Sequence, residues 1–96
     1  MEKRIGILAI IISDDNSVPQ VNSLLSKHRE IILARVGLPM RDKHLNIISL
    51  IIEGSNEQLS ALSGPLGRLS GVQVKSMVTS YIPGDNNAAD SNKNLH

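Results

Sequence analysis

Cysteine, phenylalanine and tryptophan are all absent from this 96-residue chain, and Tyr81 is its single aromatic residue. Without a thiol there can be no disulfide, no thiolate zinc or iron–sulfur ligation and no cysteine nucleophile. Such a chain suits a reducing cytoplasm, which is the expected location. Without aromatic platforms, single-stranded nucleic acid has nothing to stack on. Charge of one sign is lacking too: ten Lys and Arg against nine Asp and Glu leave a net charge of +1. Neither a nucleic acid nor an anionic membrane is expected as partner. The apolar run from Ile5 to Ile12 falls well short of the ~20 residues of a membrane-spanning helix. Lys3 and Arg4 ahead of it give the outline of a secretion signal. Asp14 and Asp15 follow at once, however, and no small-residue cleavage motif intervenes.

What the chain does have is aliphatic sequence in strand-length blocks. Ile5 to Ile12 reads IGILAIII, and Leu45 to Ile52 reads LNIISLII. Alternation sends Ile5, Ile7, Ala9 and Ile11 to one side of a strand and Gly6, Leu8, Ile10 and Ile12 to the other. In the second block Leu45, Ile47 and Ile51 oppose Ile48, Leu50 and Ile52. Strands that are apolar on both faces are normally covered on both.

Between and after these blocks the spacing changes. Ser17 stands three residues before Gln20, with Pro19 in what would be the first turn, a capping-box arrangement. Val18, Val21, Leu24, Leu25 and His28 then repeat at helical spacing, predicting a helix over Val18 to His28. Glu30 to Met40 reads as a second strand, with Pro39 marking its end or an exposed edge. Arg41, Asp42 and Lys43 form a charged turn into a third strand, Leu45 to Gly54. Ser55 and Gln58 repeat the capping-box spacing, and Leu59, Leu62, Leu66 and Leu69 supply a second helical stripe. Pro65 should kink that helix or end it early. Gly71 closes it, and Val72 to Tyr81 alternates as a fourth strand. One domain over residues 1–81 is expected, with a disordered tail over 82–96, where periodicity stops and Asn, Asp and Gly dominate.

The order β-α-β-β-α-β is the split βαβ, or ferredoxin-like, pattern. The expected class is therefore α+β. Right-handed crossovers put both helices on one face of a four-stranded antiparallel sheet whose central strands are the first and third. Those are the two doubly apolar blocks. The other face covers roughly 400 Å² in projection, for strands ~4.8 Å apart and ~20 Å long. At ~25 cal/mol per Å², its burial is worth on the order of 10 kcal/mol per protomer before association entropy is subtracted. A homodimer or homotetramer packed through this sheet face is the expected assembly. Both faces are aliphatic, so spacing leaves open which one meets the helices.

The segments VNSLLSKHREIILARVGLP, NIISLIIEG and ALSGPLGRLSGVQVKS carry a resemblance. From about Lys3 to Ser80, nearly without gaps, the chain resembles the iron-only hydrogenase system regulators. These are small proteins with an ACT-like fold similar to the C-terminal sensor domain of nickel-responsive regulators. The resemblance implies a non-enzymatic, oligomeric regulatory module that acts through a small-molecule effector or a protein partner. With the sensor-like part beginning at residue 4, no counterpart of the DNA-binding module that precedes the sensor in nickel regulators is expected.

ACT-type domains often bind small molecules at the loop between the first strand and first helix. This makes Asp14, Asp15, Asn16 and Ser17 the candidate ligand residues implied by the resemblance. Their residue types also suit ordinary turn and cap chemistry. Lys27, Arg29, Arg35, Arg41 and Lys43 gather on the second strand and its flanks, as an anion site or as protection of an edge strand. Alternation gives Arg35 the face of Ile31 and Leu33, where it could pair across an oligomer interface. His28, His44 and His96 lack metal-ligand spacing, so no metal ligand is assigned, although the nickel-regulator analogy singles out His28 with His44. No nucleophile–base pair and no phosphate loop is present; no catalytic residue and no cofactor is expected. Two rivals stand beside the regulator. An RNA binder on this fold would need aromatics on its central strands. A small dimeric ferredoxin-like enzyme would depend on Asn46 and Ser49, the polar side chains deep in those strands.

Overall fold

The computed structural model describes residues 2–79, so Tyr81 and the tail over 82–96 lie outside the described residues. The elements are β1 (Arg4–Ile12), α1 (Val18–Lys27), β2 (Ile32–Met40), β3 (Leu45–Gly54), α2 (Asn56–Gly67) and β4 (Val72–Val78). They form one antiparallel sheet in the order β2-β3-β1-β4, the expected α+β topology with β1 and β3 at its centre. Leu8, Ile10 and Ile12 of β1 and Ile48, Leu50 and Ile52 of β3 meet Val21 and Leu25 of α1 and Leu59, Leu62 and Leu66 of α2. The helices therefore cover the even-numbered side of the central strands. Their odd-numbered residues face away.

The second helix starts as its spacing predicts. The Ser55 hydroxyl accepts the Gln58 N–H at 3.2 Å, and Gln58 Oε1 accepts the Ser55 N–H at 2.9 Å. A Cβ at Gly54 would stand 3.0 Å from Gln58 Oε1, so the preceding glycine leaves room for the reciprocal bond. Ser55 is buried, so its removal also strands the Gln58 amide in a site poorly supplied with water. Ser55→Ala is expected to lower the unfolding free energy by ~1 kcal/mol, read as an earlier urea midpoint at unchanged slope.

Three details depart from the spacing-based expectation. The Ser17–Gln20 capping box does not form. Asp14 instead caps a 3-10 turn over Asp15–Ser17 by accepting the Asn16 N–H at 3.0 Å, and this turn leads straight into α1. Ser17 already has helical backbone angles, and its hydroxyl donates to the Ser70 carbonyl at 2.6 Å. The second departure is in β2. A bulge between Ile32 and Ala34 interrupts alternation at Leu33. Ile32 and Arg35 both fall on the helix-facing side, opposite Ile52 and Leu50. Arg35 is thus not on an outward face with Leu33, and it turns toward α1 rather than toward a sheet-packed partner. Third, α2 ends at Gly67, two residues past Pro65 and four before Gly71. Pro65 has no N–H to continue the ladder, and the next turns close through Arg68 N–H to Pro65 O and Leu69 N–H to Leu66 O, both 3.2 Å.

Candidate ligand site

The β1–α1 loop is fastened from behind by the α2–β4 loop. The Ser13 N–H and hydroxyl both donate to the Gly71 carbonyl, at 2.8 and 3.1 Å. The Ser70 hydroxyl donates to Asp14 Oδ2 at 3.1 Å, and Ser17 reaches the Ser70 carbonyl as above. Two of the four loop candidates, Asp14 and Ser17, therefore spend their polar atoms holding the two loops together. Asp15 and Asn16 remain exposed, and Asp15 Oδ1 accepts a long hydrogen bond from Asn46 Nδ2 at 3.4 Å.

Asn46 borders both this loop and the hollow that Arg35 lines. A hollow of about 460 Å³ lies between the loop and the β2–β3 turn, lined by Asp15, Met40, Arg41, His44 and Asn46. His44 holds a left-handed backbone, φ 55°, where the turn closes. On the other side of Asn46, the helix-facing side of β2 is left uncovered, because Arg35, Gly37 and Pro39 on that side are all exposed. This creates a trough between α1 and β2. Arg35 bridges it, donating to Asn22 Oδ1 at 2.7 Å. Asp15 and Arg35 thus occupy two parts of one concave side, joined through Asn46. Asn22 and Gly37, which shape the trough, were not singled out by spacing. The available signal was an isolated glycine inside a strand, a common mark of close approach by another molecule.

The remaining candidates do not converge. His28 Nδ1 lies 3.0 Å from the Leu24 carbonyl at the end of α1, while His44 is in the β2–β3 turn. They sit beyond opposite ends of β2, whose nine residues span ~30 Å. Among the described residues no three of His, Asp and Glu cluster as metal ligands. Asn46 is on the helix-facing side of β3, opposite Pro39, and Ser49 is on the outward side, opposite Ala9 and Val36. The polar pair that an enzyme reading would use is split by the sheet.

The outward face is organised in rows. Ala34, Ile51, Ile7 and Met77 lie side by side across the four strands, as do Leu38, Ile47, Ile11 and Gln73. Between them runs Val36, Ser49, Ala9 and Lys75. Two largely apolar ridges flank a central row that is low only over β1 and β3, where Ala9 and Ser49 are small. Ile7 is 41% exposed and Ile51 44%, large values for aliphatic residues at the centre of a sheet.

The family described as "Iron-only hydrogenase system regulator, putative", or TM1266-like, matches residues 4–76. The chain belongs to the TM1266-like family. Among solved structures, the uncharacterized protein TM1266 of Thermotoga maritima is 44% identical to this TM1266-like chain. Its TM-score is 0.77, over 80% of this chain and 98% of that one. The ACT domain of a GTP pyrophosphokinase from Chlorobium tepidum has a TM-score of 0.65 at 23% identity, over 78% of this chain and 99% of that one. A formyltetrahydrofolate deformylase from Pseudomonas putida has a TM-score of 0.58 at 11% identity, over 78% of this chain and 29% of that one. The last two show an ACT-like fold and nothing finer. No curated protein matches the TM1266-like chain. Among its described residues, no helix is long and apolar enough to cross a membrane.

Proposed function

We propose that this TM1266-like chain is a non-enzymatic, oligomeric regulatory module of a cytoplasmic iron-only hydrogenase system, answering to a small effector or a protein partner. The observation that carries the reading is the uncovered outward face. A largely apolar face on the order of 400 Å² in projection has the size of the patches that lone proteins keep exposed for a function. Its ridge–groove–ridge relief suits a second copy. The ridges at Ile7, Ile51 and Met77 and at Leu38, Ile47 and Ile11 can enter the partner's Ala9–Ser49 groove. Glu53 and Lys75 share this face, so a two-fold contact can also set opposite charges together.

The effector site in this reading is the concave side that holds Asp15, Asn16 and Arg35, with Asp14 and Ser17 fixing the loop from behind. Family membership supports a regulatory role, and the separation of Asn46 from Ser49 supports a role without turnover. The test is native mass spectrometry of the protein purified from its own cells. The expected species has two or four copies of the 10.4 kDa chain and retains a small molecule or a bound polypeptide. A single-copy mass at micromolar concentration overturns the oligomer. Turnover of a substrate that is lost on replacing Asn46 or Ser49 overturns the non-enzymatic role.

A further inference from the structure

The trough between α1 and β2 is charged in one sense only. On one side of Arg35 lies a cavity of about 200 Å³, walled by Val18, Pro39 and Ile48 and floored by Gly37, with Asn22 and Asn46 at its polar margins. On the other side lies a second cavity of about 200 Å³, lined by Arg35, Arg29, Leu25, Ser26 and Ile32. Two guanidinium groups line the trough and no carboxylate does. Asn22 accepts from one N–H of Arg35, and because Arg35 is exposed, most of its five-donor planar fork faces water and is open to a ligand. A carboxylate fits that fork with two parallel hydrogen bonds.

The floor is equally specific. Gly37 pairs with Ile48 on the helix-facing side, and a Cβ built on it meets nothing within 4 Å. The strand is therefore not kept glycine-like by packing or by a left-handed backbone. The missing side chain is what keeps the cavity open. Its volume is that of about seven waters at ~30 Å³ each. An organic acid with about that many non-hydrogen atoms can set its carboxylate on Arg35 and its hydrocarbon body against Val18, Pro39 and Ile48.

We infer that the α1–β2 trough is a binding site for a small aliphatic monocarboxylate, with Arg35 as its anion ligand and Gly37 as the gap that admits its body. This rests on the reading of the chain as a ligand-responsive module and names the ligand class of that concave side.

The test is an NMR titration of the full ¹⁵N-labelled chain with isovalerate. 3-Methylbutanol serves as the uncharged probe and inorganic phosphate as the bare anion. Isovalerate is expected to shift the Gly37 and Asn22 amides saturably, with both other probes at least tenfold weaker. Arg35→Met should weaken isovalerate at least tenfold, and Arg35→Lys should recover only part of that loss, because an ammonium cannot form the fork. Gly37→Val should fill the cavity and abolish the shifts while the amide spectrum stays that of the folded chain. The absence of saturable shifts up to tens of millimolar isovalerate overturns the inference. Phosphate binding as tightly as isovalerate overturns it in favour of a bare-anion site. A smaller assembly on Arg35→Met overturns it in favour of a partner's carboxylate. The two readings fail separately. Isovalerate bound as stated, with assembly and partners unaffected, leaves the trough standing and removes regulation. A ligand retained from cells despite Arg35→Met and Gly37→Val keeps regulation and removes the trough.

Discussion

Leu8→Lys and Ile7→Lys, one residue apart on β1, are expected to give opposite results. Leu8 has no exposed surface and sits between Leu50 of β3 and Ser76 of β4 beneath the helices. Lysine there loses ~2 kcal/mol of burial and leaves an ammonium without a partner in an aliphatic core. The sum is several kcal/mol, comparable with the ~5–15 kcal/mol that holds a domain of this size together. Leu8→Lys should be unfolded or insoluble, seen as loss of the far-UV circular dichroism of the parent. Ile7 points the other way, and in a lone protomer its lysine reaches water. In a face-to-face pair the same change buries two like charges within an apolar contact. Association should weaken by at least 10³-fold in affinity, about 4 kcal/mol. Light scattering should then report a single folded copy. If Ile7→Lys keeps the parent's mass, the outward face is not the interface. If Leu8→Lys folds, the assignment of faces is wrong.

That pair also shows where the sequence is silent. Period-two alternation places Ile7 and Leu8 on opposite faces, but both faces of β1 are aliphatic and nothing local says which one meets α1 and α2. The order of elements was legible because each carries its own period, and because Pro39 and the Ser55–Gln58 box punctuate the chain at places the fold respects. Arg35 was misplaced for a specific reason. A bulge at Leu33 adds one residue to β2, and one extra residue reverses every side chain beyond it. The Ser17–Gln20 box failed because the Ser17 hydroxyl is taken by Ser70, 53 residues away, a contact no local pattern encodes. That a polar loop joins β1 to α1 was legible, but the division of labour within it was not. Asp14 and Ser17 face the α2–β4 loop and Asp15 and Asn16 face out, a split set by the 3-10 turn rather than by residue type. The trough beside α1 was hidden because it arises from what β2 lacks: a helix above it and a side chain at Gly37.

The seam between those two loops should be the most fragile point outside the core. Gly71 has φ +66°, and a Cβ on it would stand 2.6 Å from Asp14 Cβ and 2.9 Å from the Asp14 backbone nitrogen. Gly71→Ala therefore carries two penalties. A left-handed backbone costs a residue with a Cβ ~1–2 kcal/mol. The clash is with main chain, so relief requires the loops to separate. Separation stretches the bonds from Ser13 to the Gly71 carbonyl and from Ser70 to Asp14 that close the seam. The combined loss is expected to reach ~3 kcal/mol or more, in the range reserved for strain or a broken polar network. Gly71→Asn separates the two contributions, because asparagine tolerates the left-handed region but still carries the offending carbon. It should recover little, whereas a purely conformational penalty would let it recover most of the loss. Gly67→Ala is the control: it lies at the end of α2, meets nothing within 4 Å and should be neutral or stabilising by up to ~1 kcal/mol. Urea unfolding of the three variants reads all of this on one axis. A Gly71→Ala protein as stable as its parent would mean that the seam closes in some other way, and Asp14 would then be free to face solvent beside Asp15.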